Sequence, residues 1–156
     1  MPLAKVNHRD GRTAHKPLLD HTFPLPSSRV DTDVLIDFFK LRDPAKALIQ
    51  RLSSTSLLAL SALTVTELRS GWTQEQAERL LPQLYALCSV EPVSKEIAQQ
   101  ARVWRQEYKA KGLQLGTPDT VIAATAHLSG FCLLTNNVKH YPMPELALYQ
   151  DLSTPF

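Results

Sequence analysis

Three carboxylates crowd the stretch RVDTDVLIDFF, residues 29–39, whose other members are mostly apolar: Asp31, Asp33 and Asp37. A carboxylate taken out of water is costly unless it is paired, protonated or bound to a cation. Further along, Glu67 stands in LTVTELRSG, Asp119 in TPDTVIAATA and Asn137 in LLTNNVKHY. Oxygen donors without any His/Cys spacing of the zinc type suit a hard cation such as Mg²⁺ or Mn²⁺. A cation held by carboxylates can activate water and neutralise a phosphodiester transition state, so hydrolysis of a phosphate ester is the chemistry these residue types favour.

Such residues act together only if the fold gathers them. Short apolar runs alternate with helical periodicity from residue 29 onward: RVD, SLLALSA, CSVEPV and FCLLT read as strands, and ELALYQ as a candidate fifth. Between them, TDVLIDFFK, DPAKALIQRL, LTVTELRSG, TQEQAERLLPQLYALC, SKEIAQQARVWRQEYKAKG and TPDTVIAATAHLSG read as helices. Asp43 is expected to cap the second, with Pro44 at its first position, and Pro82 to interrupt or kink the fourth. Strands alternating with helices imply an α/β domain with a parallel sheet covered on both faces. Ligands bind such sheets outside the carboxyl ends of the strands. Asp31, Glu67, Asp119 and Asn137 all fall near that rim.

Each also has a purely local explanation. Asp31 or Thr32 can cap a helix, Thr64-x-x-Glu67 spells a capping box, Asp119 follows Pro118 at a positive helix end, and Asn137 suits a turn. Three acids at one rim would nevertheless repel one another unless a cation lay between them. His127 reads as a packed or surface side chain and His140 as a lone loop residue. Cys88 and Cys132, each among apolar neighbours, read as packing residues.

The 156 residues, 44% of them hydrophobic and 21% charged, fit one globular domain. No apolar run approaches the roughly 20 residues of a membrane span, and no signal-peptide pattern is seen, so a cytoplasmic protein is expected. Residues 1–28 show no sustained period and hold four of the eleven prolines; they read as an extended or disordered arm before a domain at 29–156. The slight basic excess, +2 overall, resides in that arm and by itself does not argue for nucleic acid.

Taken in order and at their spacings, VDTDVLID, LTVTELRSG, TPDTVIAATA and LLTNNVKHY closely resemble the PIN-domain nucleases, particularly the VapC-like toxins of bacterial toxin–antitoxin pairs. The resemblance covers about residues 29–156. It implies a three-layer fold with a central, mostly parallel sheet of four or five strands flanked by helices. It also implies that Asp31, Glu67 and Asp119 hold one or two Mg²⁺ or Mn²⁺ ions, with Asn137 at the fourth family position and Asp33 as an auxiliary ligand or a support for Asp31. The implied activity is metal-dependent cleavage of RNA, the implied partners an antitoxin and a second copy of the chain. Arg69, Lys111 and Lys139 are candidate phosphate contacts. TQEQAERLLPQLYAL can supply core, a groove for an antitoxin helix, or a dimer seam.

Two other readings compete. VDTDVL has the Asp-x-Asp of haloacid-dehalogenase-type phosphatases, in which Asp31 would be phosphorylated, but LLTNNVKHY lacks their paired aspartates. A PIN-like module kept only for binding RNA or protein is the alternative outside enzymes.

Overall fold

The computed structural model describes residues 27–149. The expected arm therefore lies outside the described residues, except for Ser27 and Ser28, and Ser28 already belongs to the first strand. That strand, β1 (Ser28–Val30), is buried along its length and runs into α1 (Thr32–Phe39) with Asp31 as the N-cap. Then come α2 (Ala45–Thr55), β2 (Leu58–Ser61), α3 (Ala62–Gly71), α4 (Gln74–Leu87), β3 (Ser89–Glu91), α5 (Lys95–Ala110), α6 (Thr117–Ser129), β4 (Cys132–Leu134) and a 3₁₀ turn at Val138–His140.

The sheet has the order β3-β2-β1-β4, and every pairing in it is parallel. Its rim lies where β1, β2 and β4 hand over to α1, α3 and the 3₁₀ turn. ELALYQ does not form a fifth strand: Leu148 makes a single parallel bridge to Leu133, with two backbone hydrogen bonds at that point. The approach ends after that one residue pair, and Gln150 lies outside the described residues.

Two apolar layers sandwich the sheet. Val34, Leu35, Ile49, Leu52, Leu60, Leu68, Leu84 and Leu134 pack on one side, most of them from α1, α2, α3 and α4. On the other, α5 and α6 bury Trp104, Tyr108, Ile122, Ala123 and Ala124 against Leu133, Tyr141 and Met143. Leu133 and Leu134 thus face opposite layers, as successive strand residues must. The alanines of α6 let it lie close to both the strands and α5, since their side chains do not extend beyond Cβ.

Local expectations fail in three places. Pro82 sits inside α4 without ending it; the helix is continuous from Gln74, begun by a Thr73–Gln76 capping box. Pro44 is itself the N-cap of α2, and Asp43, one residue earlier, only accepts a 3.3 Å hydrogen bond from the Ala47 N–H. The Thr64–Glu67 capping box is absent, because α3 begins earlier, capped by Ser61. Thr64 is instead fully buried within the helix, its hydroxyl unpartnered. Cys88 and Cys132 are free, as expected of packing residues, and burial pushes the Cys88 thiol up to about 12. Among the described residues no helix is long and apolar enough to cross a membrane.

Candidate metal centre

Asp31 is fixed from four directions. It is only 5% exposed, and its Oδ1 accepts the Thr32 N–H at 2.8 Å. Its Oδ2 accepts two hydroxyls, Thr135 at 2.8 Å and Tyr141 at 2.7 Å. The Asp31 backbone N–H bonds to Leu134 O, locking the end of β1 to the end of β4. Burial and the Asp31 charge push the Tyr141 phenol far above its ordinary range, so Tyr141 remains a donor here. Both lone pairs of Oδ2 are engaged, leaving Oδ1 the oxygen with capacity to spare.

Glu67 reaches the same rim from the second turn of α3, and its Oε2 accepts a hydrogen bond from the Thr32 hydroxyl. The acid immediately before Thr32 and the acid 35 residues after it are thus joined through that threonine. Burial raises the Glu67 pKa, the Thr32 hydrogen bond opposes that, and the charges of Asp31 and Asp119 raise it further. Asp119, the third residue of α6, is likewise raised by burial and by Asp31, with His140 pulling the other way. His140 Nδ1 stands 3.4 Å from Asp119 Oδ2.

At one rim, therefore, Glu67 feels both Asp31 and Asp119, and Asp119 feels Asp31. Asp33 adds to it: burial first, then Asp31, push its carboxyl up to about 6. Its oxygens, however, accept the Val34 N–H at 2.8 Å and the Asn136 N–H at 3.0 Å. It clasps the segment after β4 and makes no hydrogen bond to Asp31. Asp37, one helical turn on, accepts from the Asn136 amide at 3.3 Å and pairs with Arg42. Asn136, which the sequence does not single out, is thus the asparagine that both acids hold. Asn137 caps the 3₁₀ turn, its N–H donating to Thr135 Oγ1, and its side chain meets none of the acids.

The chemistry of this donor set fits a hard divalent cation: among the described residues, no Lys or Arg pairs with Asp31, Glu67 or Asp119, and both cysteines are packing residues. The spacing is looser, for among the described residues no three His, Cys, Asp or Glu side chains are grouped tightly enough to hold an ion on their own. One or two direct carboxylates plus water is the habit of Mg²⁺, and that is the arrangement this placement accommodates.

The expected phosphate contacts fare differently. Lys111 pairs with Glu107 at 2.8 Å and lies over the Tyr108 ring. Arg69 follows Glu67 by two residues, about 200° around the helix, and donates to Gln74. Only Lys139 sits on the rim segment, between Asn137 and His140. What sequence reasoning misses are the supports: Thr135, Tyr141, Asn136 and His140, and the bridging role of Thr32. Thr32 adjoins Asp31 and is legible as a candidate cap, but Tyr141 is 110 residues away and carries no local signal.

Comparison with known proteins matches the chain to a family. A PIN-domain profile matches residues 29–145. Ribonuclease VapC10 of Mycobacterium tuberculosis is 32% identical over 128 residues, 81% of this chain and 91% of that protein. A solved toxin–antitoxin complex from Klebsiella pneumoniae includes a chain 30% identical, with a TM-score of 0.62, covering 79% of this chain and 98% of its own. VapBC2 from Rickettsia felis, solved bound to a promoter DNA fragment, shares the fold at a TM-score of 0.71 and 24% identity, covering 79% of this chain and 97% of that one.

Proposed function

Because the chain belongs to the PIN-domain family of metal-dependent nucleases, we propose that its acidic rim is an endoribonuclease site and that the protein is the toxin of a toxin–antitoxin pair. The observation that carries this reading is the convergence of Asp31, Glu67 and Asp119 on one end of the sheet from the end of β1, α3 and α6: Thr32 hydrogen-bonds both Asp31 and Glu67, and the charges of Asp31 and Asp119 both bear on Glu67. The strand-end asparagines leave no paired aspartates for the phosphatase alternative. Retention of all three acids favours an active enzyme over a binding module.

In this reading Asp31 and one further acid hold Mg²⁺ or Mn²⁺ directly, and the remaining carboxylates act through water. The cation, when bound, supplies an acidified water and charge neutralisation at the phosphoryl group. The chain supplies the rest. Thr135 and Tyr141 pin Asp31 Oδ2, the Thr32 hydroxyl pins Glu67 Oε2, and His140 steadies Asp119. Asp33 and Asp37 hold the Asn136 segment against α1, which keeps Thr135 in place. No covalent nucleophile is needed.

VapC10 is named a ribonuclease, and the Klebsiella pneumoniae chain comes from a toxin–antitoxin complex; these names support RNA as substrate and an antitoxin as partner. A cleft of about 270 Å³ between α1, α3 and α4, lined by Ile36, Phe39, Leu68, Trp72 and Leu80 with Glu67 at its edge, is the groove suited to an antitoxin helix. Most apolar residues of α4, Ala77, Leu80 and Leu84 among them, are core. We also assign the chain a homodimer; a mass in solution that stays monomeric at every concentration overturns that.

The decisive experiment incubates the protein with total RNA and Mn²⁺. Cleavage silenced by EDTA and by Asp119→Asn is expected. Calorimetric Mn²⁺ binding that depends on Asp31 separates an active enzyme from an inactive module, which would show none.

A further inference from the structure

Around the corner from the acidic rim, α5 and α6 enclose a groove of about 440 Å³. Arg102, Arg105 and Lys109 line one wall, spaced i, i+3 and i+7 so that they share a helix face; Leu115, Thr117 and Val121 line the other. Among the described residues, no Asp or Glu borders it. Lys111, Arg42 and Arg29 each have a carboxylate partner. Among the described residues, none of the three groove cations does. Arg102 is held by Gln106 and Gln99 of its own helix, and Arg105 Nε donates to Leu115 O, which orders the wall without neutralising it.

The groove opens at the same end of the molecule as the candidate site but on the other face of α6: Thr117 and Val121 line it, and Asp119 lies two residues from each, about 200° around the helix. The loop between α5 and α6 is short, so the two helices form an antiparallel hairpin. Lys109, near the end of α5, therefore lies at the same end as Thr117 and Asp119, near the start of α6. From Lys109, the cations recede along α5 by about 10 Å, at 1.5 Å of rise per residue. A phosphodiester chain approaching Asp31, Glu67 and Asp119 meets repulsion that a single bound ion offsets only locally. A cationic wall at the same end of the hairpin meets the flanking phosphates once the strand has passed over the start of α6.

We propose that this groove is the track on which a single-stranded RNA substrate lies, with Arg102, Arg105 and Lys109 contacting successive phosphates on one flank of the cleaved bond. The inference rests on the ribonuclease reading and replaces Arg69 and Lys111 as the main phosphate contacts. The apolar floor of Leu115 and Val121 favours nucleic acid over an acidic peptide, since a ribose or base face can rest on it between phosphate contacts.

The test measures binding of a labelled, uncleavable 2′-O-methyl RNA of about 20 nucleotides as salt is varied. Arg102→Gln with Lys109→Gln is compared with a charge-matched pair on the opposite layer, Lys46→Gln with Arg51→Gln. For single strands each lost phosphate contact lowers the slope of log affinity against log salt by about 0.7, so the groove pair should lose about 1.4 and bind roughly tenfold more weakly at about 0.1 M salt. The α2 pair should stay near wild type, and Arg102→Lys with Lys109→Arg should restore both readouts. Lys109→Gln alone, losing about 0.7 of slope, answers the question if the double variant misfolds. Equal slopes for the two double variants overturn the track. So does a polyglutamate peptide that binds with the same affinity and slope, or a dimer that dissociates only in the groove variant. The parent reading fails separately: wild type that cleaves no RNA with Mn²⁺, yet loses RNA binding in the groove variant, keeps the track and removes the nuclease.

Discussion

Two buried charges stand two residues apart where β1 ends, and the molecule treats them in opposite ways. Arg29 and Asp31 flank Val30, are 4% and 5% exposed, and by strand alternation project to the same side of the sheet. Arg29 finds its charge partner within the chain, Glu91 at 3.4 Å, with the Ser129 hydroxyl at 2.6 Å and the face of Phe131 at 4.5 Å, although its Nε and Nη1 make no hydrogen bond. Asp31 receives only neutral donors, and the acids Asp33, Glu67 and Asp119 all feel its charge. A structural charge is answered by its own fold. One left among like charges is poised for something from outside, and the contrast points to the candidate site without reference to any relative.

Removing the charge of Asp31 should produce the largest effect. Asp31→Asn keeps the shape but should lower RNA cleavage by roughly 10²–10³-fold or more, because several kcal/mol of transition-state stabilisation passes through the ion it helps hold. Urea unfolding of the metal-free variant should meanwhile show a smaller loss of stability than Arg29→Met, since relief of repulsion from the neighbouring acids offsets part of the weakened hydrogen bonds from Thr32, Thr135 and Tyr141. Arg29→Met should do the reverse. Breaking its contacts should cost about 3 kcal/mol in urea unfolding while leaving cleavage per folded molecule unchanged. A variant pair that fails to split in this way removes the distinction.

Tyr141→Phe probes the support of Asp31 with less force. Loss of one hydroxyl on Oδ2 should weaken Mn²⁺ binding in calorimetry by about tenfold, with cleavage following. The smallest expected effect is a pH dependence. Asp33 ionises in the unfolded chain near the ordinary aspartate value of about 4, but only near about 6 when folded. Between those values the unfolded chain has already released a proton that the folded protein keeps, so stability falls as pH rises through the window. Denaturation of the metal-free protein at about pH 4 and pH 7 should show that decline. Asp33→Asn should reduce it, leaving the part that Glu67 and Asp119 contribute with the same sign, and Mn²⁺ should offset it at the upper end.

The periodicities of residues 29–134 make the parallel α/β arrangement legible, because alternating buried strands and amphipathic helices admit few other architectures. Errors gather where a local pattern competes with packing. Thr64 and Glu67 have the spacing of a capping box, yet α3 starts at Ala62, because Ser61 leaves β2 in cap position and the sheet determines where the helix begins. Pro82 is tolerated because α4 packs its Leu80 and Leu84 on either side of it into the protein. ELALYQ has strand composition but only one paired residue.

By itself, the sequence determined which residues are candidates for the chemistry, because carboxylates in apolar surroundings are conspicuous in any order: Asp31, Glu67 and Asp119 stand out by residue type and by their positions beside strands and helices. Tertiary structure alone decided how they are held and approached. Tyr141 and Thr135 reach Asp31 across more than 100 residues, Thr32 joins two acids, Asn136 rather than Asn137 receives Asp33 and Asp37, and the α5 cations lie beside the start of α6. The physical reason is that charge and hydropathy are written residue by residue, whereas hydrogen-bond partners are set by which strand ends meet, and that is fixed only when the sheet closes.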